Sequence, residues 1–507
     1  MCEFTIASKL GNVIISVGGK SVKILMLNPP DRNTVIEFPQ EDGSSFLEAD
    51  DYGYFPPLGL LYVLSYAEKN TTGHEFFFID CCAEKIDHND LAKKIEEIQP
   101  DIIGMTSFTI SLVDIRMAAE TAKKICPDVH ICLGGHHSIA YPFEATQLDN
   151  IDSVVVGEGE KAFTELINRL EARTNYEDIL GVYNRESIQK TAPPQKDRRF
   201  INNLMVKPAY IENLDELPPP NRKYIKHINY SSILGISNNM ATLITSRGCP
   251  YLCTFCNVPY KQYRERNFDL ILDEVEECIK LGYDEFHFYD DLFNVTPKKV
   301  LNFCEAIKKR GLKFTWDFRG RVNSLTRESL FVAKEAGCRM ISFGVETGTN
   351  EGLMMLKKGC NVTKIENAFK WCKEAGIITV ADYMLGLPSE RSKEDILKNI
   401  DFVIELDPDY VQFNILTLYP HTEAYKQAVD KGLIVDGRWQ KFALDPKPGF
   451  MVDHWEEFLT TSELVKLQKR AYQKFYFRPR YIFNSVKNTK TMYQFFTKVK
   501  GAAKLFR

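Results

Sequence analysis

The chain has 507 residues, enough for two or three domains that each bury a core. A hydrophobic content of 44%, a charged content of 26% and a formal charge of -4 are ordinary for a soluble globular protein and give no reason to expect nucleic acid as a partner. No apolar run reaches the roughly 18 residues that span a bilayer, and the first residues lack the order of a signal peptide. We therefore expect a cytoplasmic protein with 13 reduced cysteines.

Short apolar segments alternate with helical patterns between residues 22 and about 172, after an extension of 21 residues without a pattern. The strand candidates are Val22–Asn28, Glu75–Asp80, Asp101–Ser107, Val129–Gly134 and Ile151–Val156. Their hydrophobicity is continuous rather than alternating, which indicates strands that are buried on both faces of a parallel sheet. The pattern predicts an α/β, doubly wound domain of the Rossmann-like or flavodoxin-like type.

The carboxyl ends of these strands carry the first candidate site, because doubly wound sheets bind their ligands there. Small and hydroxyl residues at these ends let the backbone approach a bulky ligand and donate to its phosphate. The candidates are Asn28, Thr106, Ser107, Gly134, Gly135, His136, Gly157, Glu158 and Gly159. No G-x-G-x-x-G follows the first strand, which argues against NAD or FAD.

Residues 173–240 show little periodicity and include the stiff run Leu217-Pro-Pro-Pro-Asn221. We interpret this stretch as a linker that contains the domain boundary.

Three cysteines, Cys249, Cys253 and Cys256, follow the apolar run 241–245 within eight residues. Gly248 and Pro250 break regular structure there, so the thiols lie on a loop and can point at one centre. Three thiolates leave one iron of a [4Fe–4S] cluster without a protein ligand. The alternative is a zinc site completed by a distant Cys or His, although only one C-x-x-C pair occurs and no H-x-x-x-H follows.

The C-x-x-x-C-x-x-C spacing, with aromatic Phe255 before the last cysteine, resembles the radical S-adenosylmethionine (radical SAM) superfamily. In that family the open iron chelates the amino and carboxylate groups of SAM. The resemblance implies that this chain binds a [4Fe–4S] cluster and SAM.

Repeated units of a helix, a glycine and a short strand fill residues 241–420, and glycine in that place is a left-handed helix cap. With the strand before the cysteines we count six strands, at 241–245, 285–290, 314–318, 339–344, 377–384 and 410–416. Six such units predict a partly open (β/α)6 barrel of the TIM type, which is also the fold that the resemblance implies.

The carboxyl ends of the barrel strands are polar. They carry Asp290, Asp291, Arg319, Arg321, Glu346, Gly386 and Pro388. By resemblance, Asp290 or Asp291 meets the ammonium group of SAM and Arg319 or Arg321 its carboxylate. Glu346 then meets the ribose or amino group, and the segment 386–388 backs the adenine. For each residue taken singly, a solvated loop charge is the alternative.

The strand-end order of the first domain, with Pro56–Gly59, Gly134–His137 and Gly157–Glu160 upstream of the cysteine motif, resembles the cobalamin-binding domain of class B radical SAM proteins. The resemblance assigns the nine strand-end candidates above to cobalamin. One departure is the absence of the D-x-H-x-x-G motif, whose place is taken by Asn28-Pro-Pro-Asp-Arg32. We therefore expect no histidine of that motif beneath cobalt.

Residues 421–507 end in a basic and aromatic stretch, with 12 Lys and Arg and no acidic residue after Glu463. This composition suits helices at an anionic membrane surface, or helices packed on the barrel with solvated lysines. The segment Phe475–Ile482 resembles the tail of family members that act on hopanoid lipids and magnesium-protoporphyrin esters, which implies a large apolar substrate.

The resemblance, taken together, implies reductive cleavage of SAM to a 5'-deoxyadenosyl radical and methyl transfer to an unactivated carbon of a lipid-like or tetrapyrrole-like substrate. The electron would come from a donor of the flavodoxin or ferredoxin type. One alternative keeps the machinery for cyclisation, oxidation or carbon–carbon bond formation without methyl transfer. Another is a corrinoid-binding sensor without turnover.

Overall fold

The computed structural model describes residues 21–33, 53–191, 206–237 and 239–487. The predicted N-terminal extension lies outside this range except for Ser21, and so does the end of the basic stretch after residue 487. The described residues form two six-stranded sheets with helices around them.

The first sheet belongs to the N-terminal domain and confirms the five predicted strands. Its elements are β1 (Lys23–Asn28), α1 (Leu58–Asn70), β2 (Glu75–Asp80), α2 (Cys81–Glu84), α3 (His88–Ile98), β3 (Ile102–Ser107), α4 (Leu112–Ile125), β4 (His130–Gly135), α5 (His136–Ala140), α6 (Pro142–Gln147), β5 (Ser153–Val155), α7 (Gly159–Glu171), β6 (Val182–Tyr183) and α8 (Arg185–Thr191). The strand order is β2-β1-β3-β4-β5-β6, with only β6 antiparallel to its neighbour. The parallel part has the flavodoxin-like order.

Strand β1 shows why the apolar segments are continuous. Leu25 and Leu27 pack into the core on one face of the sheet, while Ile24 and Met26 pack into the core on the other. Two-sided burial leaves no position for a polar residue within the strand.

The stretch that we interpreted as a linker is tied to both domains. Its first part supplies β6 and α8, which complete the first sheet and its cover. Further along, Ile211, Leu214 and Leu217 form a small buried cluster with Tyr62 of α1. The described parts of the connection are therefore packed rather than extended into solvent.

The second sheet is the predicted partial barrel. Its elements are β7 (Met240–Leu243), β8 (Ser246–Arg247), β9 (Arg264–Glu265), α9 (Phe268–Lys280), β10 (Glu285–Phe288), α10 (Pro297–Arg310), β11 (Thr315–Gly320), α11 (Arg327–Glu335), β12 (Cys338–Glu346), α12 (Asn350–Met355), α13 (Val362–Ala375), β13 (Ile378–Leu385), α14 (Lys393–Leu406) and β14 (Tyr410–Ile415). Six strands are parallel in the order β14-β13-β12-β11-β10-β7, and β8 pairs with β9 separately. Every second strand residue packs against the helices, as Phe288, Phe318 and Phe413 do.

Four described helices follow the barrel. They are α15 (Glu423–Asp430), α16 (Arg438–Leu444), α17 (Thr461–Tyr476) and α18 (Pro479–Lys487). Helix α16 packs into the core of the first domain through Trp439 and Phe442, whereas α17 packs on the outside of the barrel. Tyr472 and Tyr476 of α17 hydrogen-bond through their hydroxyls to the backbone of β14, at Phe413 and Val411. Helix α17 thereby covers the edge strand, which would otherwise expose unpaired backbone groups. Within the described residues, none of the helices has the length and apolar character needed to cross a membrane.

Candidate active site

The three cysteines lie on the loop between β8 and β9. The antiparallel pairing of Arg247 with Arg264 closes the base of this loop. Gly248 has a φ of +87°, and a Cβ there would lie 2.3 Å from the carbonyl oxygen of Gln262, so only glycine fits. The Cys249 N–H donates to the Tyr260 carbonyl at 2.9 Å, which folds the loop back on itself.

The spacing of the thiols suits an iron–sulfur cluster better than a zinc ion. Cys253 is buried, whereas Cys249 and Cys256 are half-buried. At least two of their three sulfurs are more than 4.8 Å apart. Among the described residues, only the side-chain ligand atoms of Glu285, His287 and Asp317 all lie within 4.8 Å of one another. Thiolates around a tetrahedral zinc ion would lie about 3.8 Å apart, as follows from Zn–S bonds of about 2.3 Å. Cysteines that each bind a different iron of a cluster are spread more widely.

The Glu285, His287 and Asp317 group is held by an arginine rather than being an open metal site. Arg339 lies 2.8 Å from a carboxylate oxygen of Glu285 and 3.3 Å from one of Asp317, and His287 shares a hydrogen bond with Asp317 at 2.7 Å. A cation that replaced these contacts would face the guanidinium charge. We interpret this group as a buried support at the closed end of the barrel.

Arg321 joins the cysteine loop to the neighbouring strand end. One of its Nη atoms donates to the Cys253 sulfur at 3.3 Å, and its guanidinium lies 3.8 Å from the centre of the Tyr251 ring. Its other Nη atom is buried and has no hydrogen-bond partner among the described residues. An unpaired buried guanidinium donor beside the cluster loop suits a carboxylate ligand.

Arg319 is separate from this arrangement. It is exposed and faces the interior of the barrel, with its guanidinium 5.5 Å from the centre of the Tyr289 ring. Of the two arginines that the sequence offered for the SAM carboxylate, the structure thus places Arg321 at the cysteine loop.

The two neighbouring aspartates after β10 also differ in burial and in their hydrogen-bond partners. Asp290 is buried, and its oxygens accept hydrogen bonds from the Thr245 N–H at 2.6 Å, the Ser246 hydroxyl at 2.6 Å and the Thr245 hydroxyl. Asp291 is exposed, and one of its oxygens accepts from the Gly248 N–H at 3.0 Å. Asp290 therefore holds the strand before the cysteines, and Asp291 is the carboxylate with room for a ligand.

Glu346 sits at a bulge where β12 and β13 change register, and it has a left-handed φ of +67°. Such backbone strain in a non-glycine residue is typical of functional sites. Its carboxylate is paired with Lys358 at 2.8 Å. Burial raises the pKa of Glu346, and the Lys358 charge opposes that shift.

The candidate cobalamin residues of β3 and β4 lie side by side at the open end of the first sheet. The Ser107 hydroxyl donates to the Gly134 carbonyl at 2.6 Å, and Thr106 pairs in register with Gly134. Gly135 has a φ of +97°, and a Cβ there would lie 2.8 Å from the Ser107 nitrogen, so this turn requires glycine. His136 stacks at 6.2 Å on Phe108, whose ring is 56% exposed. A bare backbone next to the exposed Phe108 ring and the half-buried His136 ring fits the broad face of a corrinoid.

Asn28 lies at the same end of the sheet, where its amide donates to the Asp80 carboxylate at 2.7 Å.

The other three candidates have different surroundings from those we expected. Gly157 is bridged to Ala209, whose carbonyl oxygen would lie 2.2 Å from a Cβ at residue 157. Gly159 faces Val63 of α1. Both oxygens of Glu158 are bound by arginine from the barrel domain, so this carboxylate anchors one domain to the other. The sequence could not show this, because Arg264 is 106 residues away.

Two family descriptions match this chain: "Radical SAM superfamily" at residues 243–425 and "B12 binding domain" at residues 46–167. The chain is 30% identical over 475 residues to the uncharacterised methyltransferase PH0819 of Pyrococcus horikoshii. The matched region covers 92% of this chain and 95% of that protein. The chain belongs to the radical SAM superfamily. Its cofactors are a [4Fe–4S] cluster, SAM and cobalamin, and it is an enzyme rather than a sensor.

Two further similarities concern a relative and a solved structure. The chain is 26% identical over 402 residues to the anaerobic magnesium-protoporphyrin IX monomethyl ester cyclase of Rubrivivax gelatinosus, covering 76% of this chain and 69% of that protein. The structure of TsrM from Kitasatospora setae with cobalamin and a [4Fe–4S] cluster bound is 17% identical, with a TM-score of 0.68 over 96% of this chain and 98% of that one. At that identity the likeness shows the shared fold.

A buried charge network connects the cobalamin-binding domain of this radical SAM enzyme to its cysteine loop. Glu158 pairs with Arg264 at 2.8 Å and with Arg247 at 3.1 Å, and Arg247 also pairs with Glu160 at 2.5 Å. Although burial opposes ionisation, the hydrogen bond from Arg264 and the charge of Arg247 hold the pKa of Glu158 below its usual value. Arg247 lies two residues before Cys249, so the network fixes the cluster loop relative to the corrinoid domain.

Gly344 offers a test of the Glu346 position. A Cβ at residue 344 would lie 2.4 Å from a Glu346 carboxylate oxygen and 2.9 Å from the Lys358 nitrogen, so Gly344→Ala must displace this ion pair. We expect SAM binding to weaken by about tenfold, which corresponds to about 1.4 kcal/mol. Equilibrium dialysis of SAM against the reconstituted protein measures this. Gly59→Ala is the control, because a Cβ at residue 59 meets nothing within 4 Å; equal affinities in both variants would contradict a role for Glu346.

Sequence reasoning missed two residues that support the segment 386–388. Glu390 is buried, accepts from the Leu387 N–H at 2.9 Å and accepts from the Asn399 amide at 2.6 Å. A glutamate directly after Gly-Leu-Pro-Ser was the available signal, but our interpretation ended at Pro388. These contacts hold the loop after β13 in one conformation.

Glu390 also predicts a pH dependence of stability. Burial raises its pKa from 4.5 to about 7. A raised carboxyl pKa means that the folded state binds a proton more tightly, so stability is lost as the pH rises through 7. We expect the cofactor-free wild type to lose about 2–3 kcal/mol relative to Glu390→Gln between about pH 5 and pH 8. Urea unfolding of both proteins at several pH values measures this difference; a difference that does not change with pH would contradict it.

Proposed function

We propose that this enzyme transfers a methyl group to an unactivated carbon of its substrate, using a radical made from SAM. When bound, the reduced cluster and the corrinoid supply one-electron cleavage of SAM and a transferable methyl group. The observation that carries the proposal is the buried network from Glu158 and Glu160 to Arg247, which ties the corrinoid domain to the cysteine loop. A chemistry that needs both cofactors in one reaction needs such a fixed geometry.

In this proposal the residues at the barrel mouth have separate tasks. Arg321 binds the SAM carboxylate through its unpaired Nη atom, and Asp291 accepts from the SAM ammonium. Glu346, whose charge is balanced by Lys358, accepts from the ribose or amino group. The loop held by Glu390 backs the adenine. Together these contacts would hold SAM in one orientation beside the cysteine loop.

The corrinoid would lie against the strand ends of the first domain. The backbone of Thr106, Ser107 and Gly134–Gly135 provides the close approach, and the Phe108 and His136 rings provide an apolar surface. The names of relatives support methyl transfer, since PH0819 is named a methyltransferase.

A second candidate function is radical cyclisation or oxidation without methyl transfer. The similarity to the Rubrivivax gelatinosus cyclase favours it. The same cofactor sites serve both reactions.

The proposal also covers the substrate, the electron donor and the contact with the membrane. The large, lipid-like or tetrapyrrole-like substrate body lies outside the barrel, near exposed side chains such as Phe108 and Leu252. A flavodoxin-type or ferredoxin-type protein reduces the cluster. Exposed Ile482 and Phe483 of α18, next to Arg480, contact the membrane surface.

The test is anaerobic reconstitution followed by incubation with SAM, a reductant, methylcobalamin and candidate substrates. Over several turnovers, methyl transfer predicts 5'-deoxyadenosine and S-adenosylhomocysteine together, because a second SAM has to replace each methyl group that the corrinoid gives up. Deoxyadenosine without S-adenosylhomocysteine would support the cyclisation or oxidation alternative. Absence of both products under strong chemical reduction would contradict the proposed reaction.

A further inference from the structure

The accessible side chains inside the barrel are polar, in contrast to the apolar substrate that the sequence suggested. Alternation along the strands points one set of side chains at the helices and the other set into the barrel. The polar members of the inward set near the mouth are Tyr289, Arg319, Ser342, Asp382, Gln412 and Asn414, which we call the lumen cluster. The apolar Val380 and Met384 lie on the same face of β13 as Asp382, but both are buried. Arg319 and Asn414 are exposed and the other four are half-exposed, whereas their strand neighbours Phe318 and Phe413 are buried.

This contrast constrains what can enter. An apolar group in the lumen would take these side chains out of water without giving them partners, at a cost of about 1–3 kcal/mol for each unsatisfied group. The part of the substrate that reaches into the barrel therefore carries polar groups of its own.

Arg319 is the cation of the lumen cluster. Within the described residues no carboxylate comes within ion-pair distance of it, whereas Arg339, deeper in the same barrel, is paired with Glu285 and Asp317. The Arg319 guanidinium lies 5.5 Å from the centre of the Tyr289 ring, in a cation–π arrangement. Its guanidinium is charged, accessible and held in place on one side.

Asp382 lies near Arg319 without forming an ion pair with it. Its carboxylate accepts from the Ser342 hydroxyl at 3.1 Å, which holds it on its own strand. The two opposite charges are thus fixed by separate neighbours, Tyr289 on one side and Ser342 on the other. The space between them suits a group that bonds to the guanidinium and presents a donor to the carboxylate.

Arg319 is too deep to share the SAM carboxylate with Arg321. The two arginines are two residues apart, which corresponds to about 6.6 Å along a parallel strand. Arg321 reaches Cys253 at the mouth, while Arg319 lies beside Tyr289 inside. A ligand on Arg319 therefore sits below SAM, on the side where a substrate carbon has to be presented.

We propose that Arg319 binds an anionic group of the substrate, a carboxylate or a phosphate, and that Tyr289 and Asp382 orient the same polar segment. This inference rests on the proposed function, since it assigns the substrate end to the lumen. The polar end enters the barrel and the large body of the substrate remains outside. Arg319 is then a determinant of substrate specificity.

Labelling of arginine with phenylglyoxal tests this in the reconstituted holoenzyme with SAM bound. The modification of Arg319 is followed by peptide mass spectrometry, with inorganic phosphate, acetate or neither present. We expect either anion to slow the modification of Arg319 by about threefold or more, as charge-assisted binding requires. Arg327 on the outside of α11 is the internal control and should be labelled equally in all samples.

The pattern of protection distinguishes the outcomes. Protection by phosphate alone indicates a phosphate ester, protection by acetate alone indicates a carboxylate, and protection by both indicates either anion. If neither phosphate nor acetate slows the modification of Arg319, the proposal is wrong. SAM affinity provides the second arm: Arg319→Gln is expected to keep it within about twofold, and Arg321→Gln to lose about tenfold or more.

If Arg319→Gln and Arg321→Gln lose the same SAM affinity, Arg319 belongs to the SAM site and the proposal is wrong. Neither arm depends on turnover. A failure of the proposed function, seen as absent deoxyadenosine, is therefore distinguishable from a failure of this inference.

Discussion

Replacing Cys253 by alanine is expected to abolish SAM cleavage, by a factor of about 1,000 or more, because the radical chemistry belongs to the cluster and not to the protein. Cys253 is the buried member of the three, and Arg321 donates to its sulfur at 3.3 Å. Its loss removes one of three ligands and the contact that joins the loop to the proposed SAM carboxylate site. Deoxyadenosine formation and the iron content of the reconstituted protein measure the effect.

Cys126→Ala is the matched control for this prediction. Cys126 is a half-buried thiol that ends α4 in the other domain, away from the cysteine loop. We expect full iron content and full SAM cleavage in this variant. An unchanged rate in Cys253→Ala, or an equal loss in both variants, would contradict the assignment of the cluster to the loop.

Arg264→Met is expected to lower the free energy of unfolding by about 3–5 kcal/mol, since it leaves a buried carboxylate without its main partner. The Arg264 guanidinium makes two bonds to Glu158, at 2.8 and 2.9 Å, and also donates to the Ile211 carbonyl. Both side chains are 5% exposed, so water cannot replace the lost contacts. Urea unfolding of the cofactor-free protein measures the change.

A surface ion pair on the domain that carries Glu158 gives the comparison. Arg169 of α7 pairs with Glu165 and Asp178 at the surface, so Arg169→Met should cost no more than about 1 kcal/mol. The double variant Glu158→Gln with Arg264→Met should be less destabilised than the sum of the two single variants, because the unpaired charge is gone. Additive losses would show that the two side chains do not act as a pair.

The contact between Glu158 and Arg264 also predicts that Arg264→Met disturbs the cysteine loop. Arg247 shares Glu158 with Arg264 and lies at the base of the cysteine loop. Loosening one arginine therefore disturbs the loop as well as the domain contact.

The elements that follow from local chemistry could be predicted from the sequence. Strand β1 is apolar at consecutive positions because both faces are buried, and Gly311 and Gly376 end helices in the left-handed conformation that their positions suggest. The cysteine loop is equally local, since its three thiols lie within eight residues. These features depend only on neighbours in the chain.

The sequence could not predict which of two similar residues has a structural role and which is free to bind a ligand. Asp290 and Asp291 are adjacent, yet Asp290 is bound by Thr245 and Ser246, more than 40 residues earlier. Glu158 stood at a strand end like the other cobalamin candidates, but its partner Arg264 comes from the second domain. Which carboxylate is free for a ligand is decided by such long-range contacts, and the sequence pattern does not record them.

The polar lumen illustrates the same limit. The sequence offered Arg319 and Arg321 as alternatives for the SAM carboxylate, but it did not show which of them reaches the cysteine loop. The tail resemblance suggested an apolar substrate, while the residues that line the barrel favour a polar substrate end.

The most direct test of the central claim is the electron paramagnetic resonance spectrum of the reduced, reconstituted protein before and after addition of SAM. Three cysteines that hold a [4Fe–4S] cluster with one open iron predict a cluster signal that shifts when SAM binds that iron, with a smaller shift in Arg321→Gln. A protein that holds zinc and gives no signal, or a cluster signal that SAM leaves unchanged, would contradict the account.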